Sequence, residues 1–374
     1  MVTVPGGSTI DTSGLSAGTS QALANLIQTN ATINSNFANS TVVSLPASAV
    51  STSQAGVAVV GSVTSGEIVP LSSSELGNPT GVYDFSKLSG NGSLVFTQSA
   101  SSPANTIVGA NIANTTIALN NANDTVVAGT GNTSIVGGAG NNLMGTQATG
   151  GGNATFVTGT GNSTVSAASG NNTVIAGGSS LVGLGSGNNV VNATASSNAT
   201  VFGGSGNATI SGGTNSTVVG GTGSVTVLGA SGDVLFAGNG STGNVLAAGG
   251  GNETLSGGNS TGNNTFLAGS GNALIGGASG NDTIFGGTGN TTAFGGAGNN
   301  LFAFSSKSAG GTTTIGDFSS TDKLSLQGYG LSASQILANS VSAAANGTTY
   351  TTITLGDGTK IVVIGVALTT SSFA

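Results

Sequence analysis

Residues 276–302 read GGASGNDTIFGGTGNTTAFGGAGNNLF, and this stretch determines the fold that the sequence predicts. One short phrase occurs three times in it: paired glycines, a spacer, a Gly-Asn step, and a run of Thr and apolar residues. An Asn recurs every nine residues, at Asn263, Asn272, Asn281, Asn290 and Asn299, and earlier at Asn105, Asn114, Asn123, Asn132 and Asn141. A unit this short buries its apolar residues only when neighbours stack on it, so the repetition predicts a solenoid.

The run after each Gly-Asn step has the character of a short strand. Only the middle side chain of a three-residue strand points inward, so the bulky apolar middle residues are predicted to form the core. They are Val126, Ile135, Phe156, Val165, Val174, Ile210, Val218, Phe236, Leu255, Phe266, Ile275, Ile284 and Phe302. Two strands and two turns make one coil of about 18 residues. The sequence therefore predicts an all-β fold, a parallel β-roll or β-solenoid of about eleven coils.

The nine-residue period slips at three places, between Asn141 and Asn153, between Asn171 and Asn188, and between Asp233 and Asn263. We interpret these slips as loops that bulge from the stack rather than as breaks in it.

Residues 1–104 and 305–374 flank the repeats of residues 105–304 and are expected to cap them. The first segment is predicted to be β-rich and to serve as a cap or an assembly segment. Its predicted elements are a short helix over Ser20–Gln28 and strands over Thr41–Leu45, Gly56–Val63 and Ser93–Thr97.

In the last segment, TTTIGDFSSTDKLSL at residues 312–326 predicts strands round a tight turn. Ser332–Ala338 predicts a short helix. Thr349–Leu355 and Lys360–Val366 flank the turn sequence Gly-Asp-Gly at residues 356–358, which predicts a hairpin.

The composition excludes several classes of function. The 374 residues include four Lys, no Arg, no His and no Cys, and the net charge is −7. Such a chain has no basic surface for nucleic acid, no imidazole or thiolate metal ligand and no Ser-His-Asp triad. No apolar run approaches the roughly 20 residues that span a bilayer, so membrane insertion is not expected. The first residues also lack the basic start and apolar centre of a secretory signal peptide.

The phrase GGASGNDTIFGGTGN resembles the nonapeptide repeat of the RTX, or hemolysin-type calcium-binding, family. The tail IGDFSSTDKLSL followed by LGDGTKIVVIGV looks like the C-terminal cap and uncleaved type I secretion signal of such proteins. The resemblance implies a secreted extracellular or cell-surface protein and a bacterial type I exporter as its partner during secretion. It also implies calcium bound by the Asp at the sixth position of each repeat.

That sixth position is an Asp only at Asp124 and Asp282, with Glu253 as a third acid. Elsewhere it is often Asn, as at Asn142, Asn172, Asn189, Asn264 and Asn300. With coils of two repeats, Asp282 should lie between Asn264 and Asn300, and no turn should bring two carboxylates together.

Two interpretations of these turns stay open. Either Asp124 and Asp282 bind Ca²⁺ at a few sites, or they are remnants in a roll that needs no cofactor. In the second case backbone bonds and amide-to-amide Asn ladders stabilise the roll, with Asn263, Asn264, Asn281, Asn299 and Asn300 as ladder residues.

The residues predicted to face outward favour association of the protein with copies of itself. The seventh position is commonly Thr, as at Thr125, Thr155, Thr164, Thr173, Thr200, Thr209, Thr265 and Thr283. The ninth is often apolar, as at Val127, Val136, Val157, Ile175, Phe202, Val219, Leu228, Leu267, Phe285 and Phe294. These faces lack Lys and Arg for about 200 residues, and a surface without charge does not resist self-association.

Three classes of function follow. The first is a secreted structural protein that assembles with itself into a filament, surface layer or biofilm matrix. The second is a calcium-dependent adhesin or a surface-recognition protein, which includes an ice binder that uses Thr rows. The third, an enzyme, is not expected, because the acids are scattered and no catalytic set is present. Asp317 and Asp322, with Lys323, are interpreted as turn caps, and a calcium site at these residues is the alternative.

Overall fold

The computed structural model of the chain describes residues 57–76, 81–147, 150–308 and 310–374. Of residues 1–56 it describes only the backbone of strands β1 (Val2–Thr3), β2 (Thr9–Ile10) and β3 (Thr41–Ser44). The helix predicted over Ser20–Gln28 lies outside the described residues.

The chain divides into two compact units, Met1–Ala208 and Thr209–Ala374. The further strands of the first unit are β4 (Val57–Val63), β5 (Ile68–Ser72), β6 (Val82–Asp84), β7 (Leu88–Gly90), β8 (Ser93–Thr97), β9 (Thr106–Val108), β10 (Asn114–Ala118), β11 (Thr125–Val127), β12 (Asn132–Val136), β13 (Leu143–Gly145), β14 (Ala154–Val157), β15 (Thr164–Ala167), β16 (Thr173–Ile175), β17 (Leu181–Leu184), β18 (Asn189–Asn192) and β19 (Thr200–Phe202). A single helical turn, α1 (Ser73–Leu76), follows β5.

Strand β20 (Ala208–Ser211) contains the boundary between the units. The second unit continues with β21 (Thr217–Val219), β22 (Val225–Leu228), β23 (Val234–Phe236), β24 (Val245–Ala247), β25 (Asn252–Ser256), β26 (Thr265–Leu267), β27 (Asn272–Gly276), β28 (Thr283–Phe285), β29 (Asn290–Phe294), β30 (Leu301–Ser305), β31 (Thr312–Ile315), β32 (Lys323–Gln327), β33 (Val341–Ala345), β34 (Thr348–Thr354) and β35 (Lys360–Ile364). Helix α2 (Ala333–Ala338) precedes β33, and a 3-10 turn (Thr370–Ser372) follows β35.

Successive strands of the first unit alternate between two parallel sheets. Sheet A has the order β5-β8-β10-β12-β14-β16-β18, and sheet B has the order β6-β9-β11-β13-β15-β17-β19. Each coil gives one strand to each sheet, so Asn114 pairs with Asn132 and Thr125 with Leu143. The predicted all-β parallel solenoid is confirmed, with about 12 turns in the chain against the eleven expected.

The second unit repeats this arrangement. Sheet A has the order β22-β24-β26-β28-β30-β32, and sheet B runs β21-β23-β25-β27-β29-β31-β35 in parallel. Strands β34 and β33 extend sheet B in antiparallel fashion beyond β35.

The tight turn predicted for residues 312–326 is wrong. Strands β31 and β32 lie in different sheets, each parallel to a repeat strand, so they form one more coil. Ile315 and Leu324 occupy core positions and are fully buried. The predicted helix and final hairpin are confirmed as α2, which Ser332 caps, and as β34 and β35.

The ladders continue through all three slips of the period. Ile135 pairs with Phe156, and Leu235 pairs with Leu255, so extra residues leave the stack between paired strands. At the second slip the corner residues Asn172 and Asn189 are only 17 residues apart. The bulge predicted there is wrong, because that coil is shortened.

The predicted core residues are buried with one exception. Phe236 is half-buried, whereas Leu235 beside it is fully buried. Asp233 immediately precedes this strand and occupies the sixth repeat position, which makes Leu235 and not Phe236 the middle residue. Val127, which was predicted to face outward, is buried, as is its register neighbour Val108 on β9.

Candidate functional site

The corners of the solenoid are joined by side chains at the sixth repeat position. Oδ1 of Asp282 accepts the backbone N–H of Asn264 at 2.6 Å, and the backbone N–H of Asp282 donates to Oδ1 of Asn300 at 2.9 Å. The N–H of Asn300 donates in turn to Oδ1 of Asp322 at 2.7 Å. Corner N–H groups need acceptors where the strand ladder gives way to a turn, and these buried oxygens supply them.

The Asn residues immediately before the sixth position form a second column of hydrogen bonds. In this column the backbone N–H donates to the coil before it, not to the coil after it. The N–H of Asn281 donates to Oδ1 of Asn263 at 2.9 Å, and the N–H of Asn299 donates to Oδ1 of Asn281 at 2.8 Å. The five predicted ladder residues thus bond mainly from backbone to side chain. Amide-to-amide bonds also occur, from Asn244 Nδ2 to Asn264 Oδ1 at 3.0 Å and, at other corners, for example from Asn290 Nδ2 to Asn272 Oδ1 at 3.2 Å.

Asn and Asp differ at the sixth position in one hydrogen bond. Asn264 donates its Nδ2 to the carbonyl two residues earlier, that of Gly262, at 3.0 Å, and Asn142 bonds Gly140 in the same way at 3.1 Å. An ionised Asp has no hydrogen to give that carbonyl. Oδ2 of Asp124 and Oδ2 of Asp282 are accordingly buried without a hydrogen-bond partner.

This environment favours a neutral carboxyl group. Burial raises the pKa of Asp282 to about 6, against the opposing effect of its bonds with Asn264. Burial likewise raises the pKa of Asp124, against the bonds from the Asn105 backbone and from Gln98. A proton or a cation would give each orphaned oxygen the partner it lacks.

Two further acids occupy neighbouring positions of one column, which the sequence did not predict. Val234 pairs with Thr254, so the preceding residues, Asp233 and Glu253, follow one another in register. Asp233 accepts two backbone N–H bonds, and burial raises its pKa. Oε2 of Glu253 is buried without a partner. A strict 18-residue spacing does not place these two acids in register, because the strands that follow them are offset by 20 residues.

These residues fit calcium only in part. Ca²⁺ takes six to eight oxygen ligands and prefers several carboxylates among them. Asp124, Asp282 and Glu253 each offer one free carboxylate oxygen. Within the described residues, no three acidic, His or Cys side chains come together. Main-chain carbonyls would have to complete the coordination shell at each of these corners.

The C-terminal acids cap turns. Asp317 accepts the backbone N–H groups of Gly295 and Gly296, both at 2.8 Å. Asp322 accepts a second N–H, from Ser319, at 2.8 Å. The ammonium group of Lys323 donates to the Ser371 carbonyl.

The solenoid surface carries no formal charge over a long stretch. Between Lys87 and Lys307 the only ionisable acids or bases with formal charge are Asp124, Asp233, Glu253 and Asp282. All four are buried, with at most 3% of their surface exposed.

Apolar rows lie on sheet A of each unit. In the first unit Val136 and Ile175 are 41% and 43% exposed, with Val157 between them in register. In the second, Leu267 and Phe285 line an open groove of about 450 Å³, next to Ala247 and Lys307. A polar groove of about 430 Å³ on the first unit is lined by Asn and Thr, among them Asn132 and Thr155.

Comparison with known proteins agrees with the geometry of the corners. None of the described helices is long and apolar enough to cross a membrane. No curated protein matches the chain. The family model for the RTX calcium-binding nonapeptide repeat matches residues 119–145, 149–180, 247–284, 259–293 and 276–304. These segments, about a third of the chain, are therefore similar in sequence to the RTX calcium-binding nonapeptide repeat.

Proposed function

We propose that this protein is a secreted structural protein that assembles with copies of itself into an extracellular filament, surface layer or biofilm matrix. RTX repeats within a β-solenoid suggest a secreted calcium-binding repeat protein. The C-terminal sequence supports export by a bacterial type I exporter.

The observation that carries the proposal is the uncharged surface between residues 88 and 306. Soluble monomers commonly expose about 25–35% charged residues, which keeps them apart. Here the four acids in this stretch are buried, and exposed apolar side chains form rows instead. Two such faces can approach without charge repulsion and without desolvating an ion.

Charged substitutions on the rows test the proposal. Ile175→Lys and Leu267→Lys place a charge on an exposed row of each unit, whereas Ser65→Lys adds the same charge at an exposed turn. We expect the two row variants to raise the concentration at which light scattering detects assemblies by about tenfold or more. Ser65→Lys should behave as the unaltered chain. Equal assembly by all three variants, or no assembly by the unaltered chain, would contradict the proposal.

A surface-recognition protein, such as a calcium-dependent adhesin, is the second candidate. The groove lined by Asn and Thr favours it, because neutral amide and hydroxyl groups suit a hydroxyl-rich ligand or an ice surface. The Thr row there is flanked by Val157 and Ile175 rather than by a second Thr row. Binding of a dispersed monomer to a polysaccharide or to ice, with no assembly at any concentration, would favour this function.

A further inference from the structure

Strand β33 is an exposed edge of sheet B in the second unit. Among the residues that the structure describes, it pairs with β34 alone, through a two-residue turn at Asn346 and Gly347, both of which have positive φ. All five residues of β33 are exposed, and Val341 is 70% exposed. The outer backbone N–H and C=O groups of such a strand can pair with another strand.

Two other sheet edges in the described residues are protected. Edge strand β5 of the first unit contains Pro70, which lacks an N–H, and Glu67 lies immediately before it. Edge strand β32 of the second unit is covered by the chain terminus. Phe373 bridges to Leu324, and the N–H of Ala374 donates to the Leu324 carbonyl at 2.9 Å.

None of the usual protective devices is present on β33. Its sequence, VSAAA, contains no proline and no charge, and its pairing with β34 runs without a bulge. The whole segment of residues 341–354 lacks charged side chains. Natural edge strands usually carry charge, proline or a bulge, so an unprotected one marks a place where another strand is added.

We propose that β33 pairs antiparallel with β33 of a second copy, so that sheet B continues across a two-fold axis. This inference rests on the proposed self-assembly and identifies one of its contacts. A two-fold axis at Ala343 places Val341 of one copy opposite Ala345 of the other and the two Ala343 residues opposite each other.

The edge suits a second copy of the chain for two reasons. The side chains are small, so neither face of the joined sheet is obstructed at the axis. Each copy has a net charge of −7, yet the contact segment contributes none of it, so the approach is free of local repulsion. The contact is short, and it therefore needs the high local concentration that an assembly provides.

The absence of Cys makes cross-linking a direct test. Opposed residues of antiparallel strands have Cα atoms about 4.5–5.5 Å apart, which a disulfide can span. Under mild oxidation, A343C in the full chain should form disulfide dimers at least tenfold faster than the exposed-turn control S65C. Equal rates for the two variants would overturn the pairing.

Charge variants test which residues of the two β33 strands are paired and whether the strands run antiparallel. V341K/A345E should assemble, because antiparallel pairing sets each introduced lysine opposite an introduced glutamate. V341K/A345K should assemble poorly alone and recover when mixed with V341E/A345E.

Unhindered assembly by V341K/A345K overturns the inference but leaves the proposed function standing. If A343C forms cross-linked dimers but no larger assemblies, the β33 contact is supported and the proposed filament or layer is rejected. If A343C stays monomeric and is not cross-linked, both the contact and the proposed assembly are rejected.

Discussion

The backbone N–H of Asp282 donates a 2.9 Å hydrogen bond to Oδ1 of Asn300 in the next coil. One residue earlier, the N–H of Asn281 donates in the opposite direction, to Asn263. Each such corner is therefore tied to the coil before it and to the coil after it by side-chain oxygens. These bonds couple neighbouring coils at positions where no charge pair is present.

Removing one side-chain acceptor at the sixth repeat position should destabilise the second unit. Asn300→Ala leaves the buried N–H of Asp282 without an acceptor, so we expect the free energy of unfolding to fall by about 1–3 kcal/mol. Asn299→Ala is the control, because the bond at that residue is made by its backbone N–H. Urea unfolding of both variants measures the difference, and equal losses would contradict the role of the side chains at the sixth repeat position.

The raised pKa of Asp282 predicts a pH-dependent stability. Because its pKa is about 6 in the folded chain, against an ordinary value of 3.8 for an Asp in the unfolded chain, the folded chain binds the proton more tightly. The stabilisation is complete below about pH 4 and is lost as the pH rises through 6. With a chelator present, Asp282→Asn should remove the part of this slope that Asp282 contributes, leaving that of Asp124 and Asp233, and raise the free energy of unfolding at pH 7 by up to about 3 kcal/mol. Asp357→Asn, at an exposed turn, should leave the slope in place.

Adjacent substitutions on β23 test which side chain fills the core. Leu235→Ala should lower the free energy of unfolding by about 2–5 kcal/mol, because it leaves a cavity between coils. Phe236→Ala removes a larger but half-buried side chain and should cost less. Thermal unfolding of the two variants gives the order, and a larger loss for Phe236→Ala would contradict the inward position of Leu235.

The stacking of corners could be predicted wherever the period is regular. The nine-residue spacing places Asp282 between Asn264 and Asn300, as the hydrogen bonds show. Spacing alone does not give the direction of those bonds, because an Asn oxygen can accept from a backbone N–H as well as from another amide.

The errors in the predicted pairing and in the predicted core arose in coils that depart from 18 residues. The pairing of Val234 with Thr254 stacks Asp233 on Glu253, although a strict 18-residue coil would place these acids out of register. The same slip led to Phe236 being assigned in place of Leu235. In the tail, the Asn346-Gly347 turn is a strong hairpin signal, but the Ala-rich β33 has low β-propensity and was not predicted.

Calcium should add to the stability without being required for the fold. We expect excess EGTA to lower the melting temperature by a few degrees while the far-ultraviolet circular dichroism stays that of β-structure at room temperature. Replacing the three acids that have a free oxygen, as Asp124→Asn, Glu253→Gln and Asp282→Asn together, should remove the response to calcium. Complete unfolding in EGTA would show that the hydrogen-bonded corners cannot sustain the solenoid.

The uncharged faces lead to the most direct test, negative-stain electron microscopy of the purified full chain in calcium and in EGTA over a range of concentrations. We expect filaments or layers in both conditions, and their number should increase with concentration. Dispersed single particles in both conditions at the highest concentration would contradict it.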